Sequence, residues 1–273
     1  MRFDALVRLA IAWTLAAMAW PAAMAETTPC GPYHVSFYEF GRFFYRDDQG
    51  QARGIDTDLI EQLARRSGCE LLPELNSRAR IWERLSRGDL DITVSGVATP
   101  EREQLAEFWP YLRSRNQALM RRSVASQLST PAAFLADTQR RVVVVKSFRH
   151  GRFFDAWLEQ LRSEGRVHEA ADFDTALRVF RAGRVDLMLA HPINLLLPER
   201  EMADLALMDW APGDDVLGSL VVSRQRVAAR DRERLHAALN ALLADGSMDA
   251  ILVRHLGAKL ARATRLQSAP STR

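Results

Sequence analysis

The chain has 273 residues, 48% hydrophobic, 26% charged and 8% aromatic, which fits a globular protein and excludes collagen, low-complexity disorder and a multi-span membrane protein. The 37 Lys and Arg against 34 Asp and Glu leave a formal charge of +3, too even a balance for a dedicated nucleic-acid binder. One large domain or two modest ones, each with a real core, fit this length.

Arg2 and Arg8 flank the start of an apolar run, Leu9 to Trp20, which Pro21 closes and Ala23-Met24-Ala25 follows. A positive end, an apolar run and small residues before a cut are the pattern of a secretory signal, here residues 1–25. A membrane anchor is the alternative, but it needs ~20 apolar residues. Export would carry Cys30 and Cys69 into an oxidising compartment, where they either form a single bridge or remain two buried thiols. Two cysteines with no His at ligand spacing do not make a structural metal site.

His34-Val35-Ser36-Phe37-Tyr38 reads as a strand. Asp56-Thr57 then open an amphipathic helix through Leu59, Ile60, Leu63 and Ala64 that stops at Ser67-Gly68, with Asp56-Thr57 as the expected cap. Ile81, Trp82 and Leu85 mark a second helix ending at Gly88, and Leu90 to Val94 a strand. The cycle restarts at Arg141 to Lys146, whose run of four valines suits a strand buried on both faces. Phe153 to Leu161 and Ala176 to Phe180 have helical spacing, Val185 to Ala190 and Leu217 to Val222 are strands, and helices at about 230–244 and 246–256 flank Asp245-Gly246. Trp82, Trp109 and Trp157 read as core.

Two such α/β cycles with a final return predict two lobes: residues 26–119 with 221–257, and residues 120–220. The expected crossings are Met120 to Ser123 and Gly218 to Arg224, and residues 258–273 form a frayed tail. A cleft between such lobes suits a small ligand, since strand ends and helix N-termini of both face it.

Gly54-Ile55-Asp56-Thr57-Asp58-Leu59, Gly88-Asp89-Leu90-Asp91, Thr99-Pro100-Glu101-Arg102, Phe108-Trp109-Pro110-Tyr111 and Gly183-Arg184-Val185-Asp186 occur in an order and spacing that resembles the periplasmic solute-binding proteins of family 3. These are the polar amino-acid binders of ABC importers, and the resemblance covers nearly all of residues 30–257. It implies an α/β two-lobe periplasmic binding protein type II fold, each lobe a mixed sheet flanked by helices, joined by two hinge crossings. It also implies a periplasmic location, a small solute and an ABC permease as partners, and no cofactor. Closing a cleft needs no second copy, so a monomer is expected.

Thr99 as a hydroxyl cap and Pro100 at the first helical position place Arg102 in a first turn, and the resemblance implies that its guanidinium takes the solute's α-carboxylate. Ser95-Gly96-Val97 falls where contacts to the same group are made, although Val97 stands where the family has a small hydroxyl residue. His191 occupies the place of the Asp that pairs with the α-ammonium in amino-acid binders. Arg78 lies where the family places an apolar or aromatic pocket residue, Lys146 to Gly151, including Arg149, replaces the usual Gly-Ser/Thr turn of the second lobe, and Tyr38 or Phe40 is expected over the ligand, with Phe44 in the core. Together Arg78, Arg102, Lys146, Arg149 and His191 point to an anionic solute, because unpaired cations in a closing cleft are costly.

No phosphate-loop, nucleophile-elbow or zinc-protease pattern occurs. A cyclohexadienyl-dehydratase-like enzyme on the same fold and a periplasmic sensor are the competing readings; no general acid for the first is evident.

Overall fold

The computed structural model describes residues 29–195 and 197–266. The predicted signal segment and the end of the predicted tail lie outside these residues. In chain order the first elements are β1 (Cys30–Phe37), β2 (Tyr45–Arg46), β3 (Ala52–Arg53), α1 (Ile55–Ser67), β4 (Cys69–Leu75), α2 (Arg78–Arg87), β5 (Ile92–Gly96), α3 (Pro100–Glu103) and β6 (Ala106–Ser114). Then come β7 (Gln117–Arg121), α4 (Arg122–Ala125), α5 (Pro131–Ala136), β8 (Val142–Val145), α6 (Arg152–Ser163), β9 (Val167–Ala170), α7 (Phe173–Arg181), β10 (Leu187–Ala190), α8 (Glu199–Met202) and β11 (Leu205–Met208). The chain closes with β12 (Val216–Ser223), α9 (Ala229–Ala244) and α10 (Ser247–Thr264).

Two five-stranded mixed sheets result, in the orders β4-β1-β5-β12-β6 and β11-β7-β10-β8-β9. In the first, β1 runs parallel to β4 and β5 while β12 is antiparallel to β5 and β6. In the second, β8 is parallel to β9 and β10, and β7 antiparallel to β10 and β11. The central strands β5, β8 and β10 are buried at every residue, as the unbroken apolar runs of β8 and β10 require. This is the two-lobe type II periplasmic binding fold. Cys30 pairs with Cys69 in the β1–β4 register and the two form a disulfide, with Cα atoms 4.5 Å apart.

Three expectations need correcting. The first crossing lies at 115–116, between β6 and β7, not at Met120 to Ser123, so residues 117–119 belong to the second sheet. The second lies at 209–215, because β12 sits in the first sheet along its whole length and Gly218 to Arg224 is no crossing. Residues 258–264 are helical: after a kink at Gly257, α10 continues to Thr264, with Ala261 and Thr264 buried.

Candidate functional site

Lobe contact builds the site. Gly54, at φ 134°, caps α1 where a Cβ would meet the Phe43 carbonyl oxygen at 2.2 Å. Only glycine fits that position, and it starts α1 so that Asp56 turns inward, nearly fully buried, rather than capping the helix. Ser95 and Tyr111 receive it. The Ser95 hydroxyl donates to Asp56 Oδ2 at 2.8 Å, Tyr111 donates to Oδ1 at 2.5 Å, and the Ser95 N–H donates to the Tyr111 oxygen at 2.8 Å. Burial pushes the Asp56 carboxyl up to about 7 against these bonds, and pushes Tyr111 well above its ordinary value. The network holds Ser95, at φ 50°, in the left-handed region, which a non-glycine residue adopts only when its surroundings impose it.

The Ser95 carbonyl thereby faces the cleft, accepting from Arg78 Nη2 at 3.0 Å and from the Tyr38 hydroxyl at 3.3 Å. Arg78 opens α2 behind its Ser77 cap and is 4% exposed. Its guanidinium lies 4.3 Å from the Tyr38 ring centroid, 4.5 Å from Trp82 and 5.6 Å from Phe148 of the second lobe. Burial draws its proton affinity down, and Nε is buried without a partner.

Phe148 closes the site from the second lobe, edge-on to Tyr38 at 5.7 Å and to Phe40 at 4.8 Å. Phe40 also meets Phe173 and His191 edge-on. Tyr38, Phe40, Arg78, Ser95, Val97, Arg149 and His191 line one cavity of about 30 Å³, together with Phe43, Leu112, Ser114 and Phe148. That is room for roughly two or three waters, so a larger solute requires the Phe148 side to move with its lobe. The space widens on either flank, to about 320 Å³ beside Glu39 and Asp172 and about 520 Å³ beside Glu101, Asp155 and Asp214.

His191 is 7% exposed and its Nδ1 lies 2.6 Å from the Ser114 hydroxyl. His150, 3% exposed, bonds Asn116 through Nδ1 at 3.0 Å. Burial lowers His191 to about 4 and, with His191 adding repulsion, His150 to about 3. Both imidazoles are neutral at pH 7.

Three predicted site residues stand off this cavity. Arg102 follows the Thr99 cap as expected, with its N–H donating to Thr99 Oγ1 at 3.3 Å. Its guanidinium lies 3.5 Å from the Trp82 ring centroid and donates to the Val97 carbonyl at 3.0 Å and, across the lobes, to the Ser147 carbonyl at 3.2 Å. Burial, then Arg78 and Arg149, bring it down to about 9. Lys146 is exposed, because only its backbone joins the sheet end, its N–H donating to Ala170. Gly96 packs within its sheet, where a Cβ would meet Val221 Cγ2 at 2.2 Å. Trp82 is a half-buried platform for two arginines rather than plain core.

Residues 37–258 match the family model for bacterial extracellular solute-binding proteins, family 3. The chain belongs to this family. No curated protein matches it. Among solved structures, the family 3 chain is similar to a solute receptor for L-cysteine from Neisseria gonorrhoeae (TM-score 0.71, 16% identity, 86% of this chain and 96% of that one). It is similar also to an ancestral arginine-binding protein bound to arginine (TM-score 0.68, 18% identity, 82% and 98%). A third is an ancestral amino acid-binding protein described as a precursor of cyclohexadienyl dehydratase (TM-score 0.66, 19% identity, 82% and 94%).

In this solute-binding protein the roles of Asp56 and Tyr111 beneath the cleft and of Ser114 within it were not legible in the sequence, while Phe148 and His150 lie in the Lys146 to Gly151 turn expected at the second lobe's side of the cleft. Asp56 and Tyr111 did stand in the quoted motifs; what pairs them is a separation of 55 residues that no local pattern reveals. Among the described residues no helix is long and apolar enough to cross a membrane, and no three His, Cys, Asp or Glu side chains come together to hold a metal ion.

Proposed function

We propose that this family 3 protein works in the periplasm as a monomer, closing on a small carboxylate-bearing solute and delivering it to an ABC permease. Arg78 supports the reading: a desolvated guanidinium in the lining of the interlobe cavity, boxed by Tyr38, Trp82 and Phe148, with its Nη atoms on the Val94 and Ser95 carbonyls, no carboxylate among the described residues bonded to it and Nε buried without a partner. A buried cation short of partners favours an anion, and a carboxylate matches the planar donor fork. The disulfide fits an oxidising compartment.

A thermal-shift screen of the purified protein against amino acids, 2-oxo acids, dicarboxylates and aromatic acids tests this. A solute at a hundredfold its Kd adds about 2.7 kcal/mol, or about 5–10 °C at this chain length. Shifts confined to carboxylates, and lost in Arg78→Ala, are expected. Shifts only with neutral or cationic compounds would overturn the reading. The bound solute should be recovered unchanged; a new product would favour turnover, for which the Ser114–His191 pair offers a hydroxyl and a neutral base.

A further inference from the structure

The other residues that line the cavity bear on what the carboxylate is attached to. We propose, resting on the carboxylate reading above, that the cleft selects acids that carry no α-ammonium group, 2-oxo and 2-hydroxy acids with an apolar body, over amino acids of the same skeleton.

An ammonium taken out of water needs an anionic partner or several good acceptors. The described residues that line the cavity include the cations Arg78 and Arg149 and no Asp or Glu. Acids nearby are engaged elsewhere. Asp56 lies beneath Ser95, with both oxygens bonded to Ser95 and Tyr111. Asp172 caps α7 by accepting from the Thr175 N–H at 2.7 Å. Asp155 accepts from the His150 N–H at 2.9 Å, and Asp214 accepts from the N–H groups of Arg152 and Phe153. Glu39 lines only one outer flank, and Glu101 and Asp215 only the other. Within this cavity an ammonium beside a carboxylate on Arg78 would therefore meet like charge and no counter-charge, whereas Glu39 and Asp172 stand on the flank that Arg78 also lines.

What the wall does offer is Ser114 and His191, a hydroxyl and an imidazole 2.6 Å apart. Because burial keeps that imidazole neutral, with one further bond to the Arg115 backbone, the pair has one donor and one acceptor beyond its own bond, and these exchange when the hydroxyl rotates and the tautomer changes together. That is the complement of a ketone or hydroxyl oxygen. Phe40, Phe148, Leu112 and Val216 supply apolar surface for the rest of the solute.

Matched triplets decide it by titration calorimetry: pyruvate, lactate and alanine; the 2-oxo, 2-hydroxy and 2-amino acids of the leucine skeleton; and phenylpyruvate, phenyllactate and phenylalanine. Within at least one triplet, the oxo or hydroxy acid should bind roughly 10- to 100-fold more tightly than the amino acid, the cost of a buried charge without a partner. His191→Asp should narrow or reverse that ranking by supplying the missing carboxylate. The ranking on the unaltered protein is decisive even if the variant fails to fold. An amino acid that binds as tightly as its oxo and hydroxy counterparts would overturn the inference while leaving the carboxylate reading intact. Binding of no acid from any triplet would overturn the inference, and a shift with neutral compounds alone in the broader screen would overturn the carboxylate reading as well.

Discussion

Removing Arg102 tests how the lobes stay closed. Of its contacts, the Trp82 stack at 3.5 Å and the Val97 carbonyl at 3.0 Å lie within the first lobe and survive opening. Only the bond to the Ser147 carbonyl, at 3.2 Å, spans the two lobes. A hydrogen bond from a charged donor contributes about 1.5–3 kcal/mol net, and the half-exposed setting of Arg102 argues for the lower end. Arg102→Ala should thus cost the closed state about 1.5 kcal/mol, a shift of roughly tenfold towards open. The apparent Kd should weaken by about the same factor, mostly through faster release. Spin labels at the exposed positions Glu61 and Gln160, one on each lobe, would report the interlobe distance with no solute present. The latch predicts that Arg102→Ala broadens this distribution towards longer distances. An unchanged distribution together with an unchanged Kd would refute it. An unchanged distribution with complete loss of carboxylate binding would instead place Arg102 on the solute, as the family resemblance implies.

Stability should rise with pH between about 5 and 6.5. His150 and His191 titrate at about 3 and 4 in the fold, against an ordinary 6.5, so the unfolded chain takes up two protons that the fold refuses, and stability is lost as pH falls below 6.5. Asp56, raised from 3.8 to about 7, acts in the opposite sense, since the fold keeps a proton that the unfolded chain releases; Asp155, also raised by burial, adds to this at the acid end. Two histidines outweigh Asp56 until they stop titrating near 6.5, so urea midpoints should climb to that pH and then level or dip, and Asp56→Asn should steepen the climb. A flat or falling profile from 5 to 6.5 would contradict the buried neutral pair. Separately, reducing the Cys30–Cys69 bridge, which spans 39 positions, should lower unfolding free energy by about 3–4 kcal/mol on the chain-entropy model, seen as a drop in the urea midpoint; an unmoved midpoint would show that the bridge does not constrain the unfolded chain.

Where local chemistry decides, the sequence was legible. Four consecutive valines became the fully buried strand β8, Gly68 and Gly88 end α1 and α2 in the left-handed conformation, and Thr99-Pro100 starts α3. The crossings were misplaced because leaving a sheet is a matter of pairing rather than hydropathy. Leu119 and Leu220 are equally buried, yet one pairs with Met188 and Leu207 in the second sheet and the other with Trp109 in the first. Asp56 read as a helix cap because Asp is common there. Its actual role depends on Ser95 and Tyr111, 39 and 55 residues away. Arg102 illustrates the converse: the motif placed its backbone correctly, while its guanidinium went to carbonyls of two lobes whose approach no single segment encodes.

That approach brings two different forces to one place. The contacts of Phe148 with Tyr38 and Phe40 favour closure whatever the solute, since apolar burial is non-directional. Arg78, within the same aromatic cluster, works against it, because closing strips water from a cation whose Nε has no partner. A closed cleft is therefore cheap in its aromatic part and costly in its cationic part, and a bound anion removes the cost without disturbing the rest. A ligand shifts such an equilibrium only by its differential affinity for the two states. On the carboxylate reading proposed above, that difference is concentrated in the pairing of Arg78, so charge at that point, more than fit to the aromatic walls, should govern which solutes hold the lobes together.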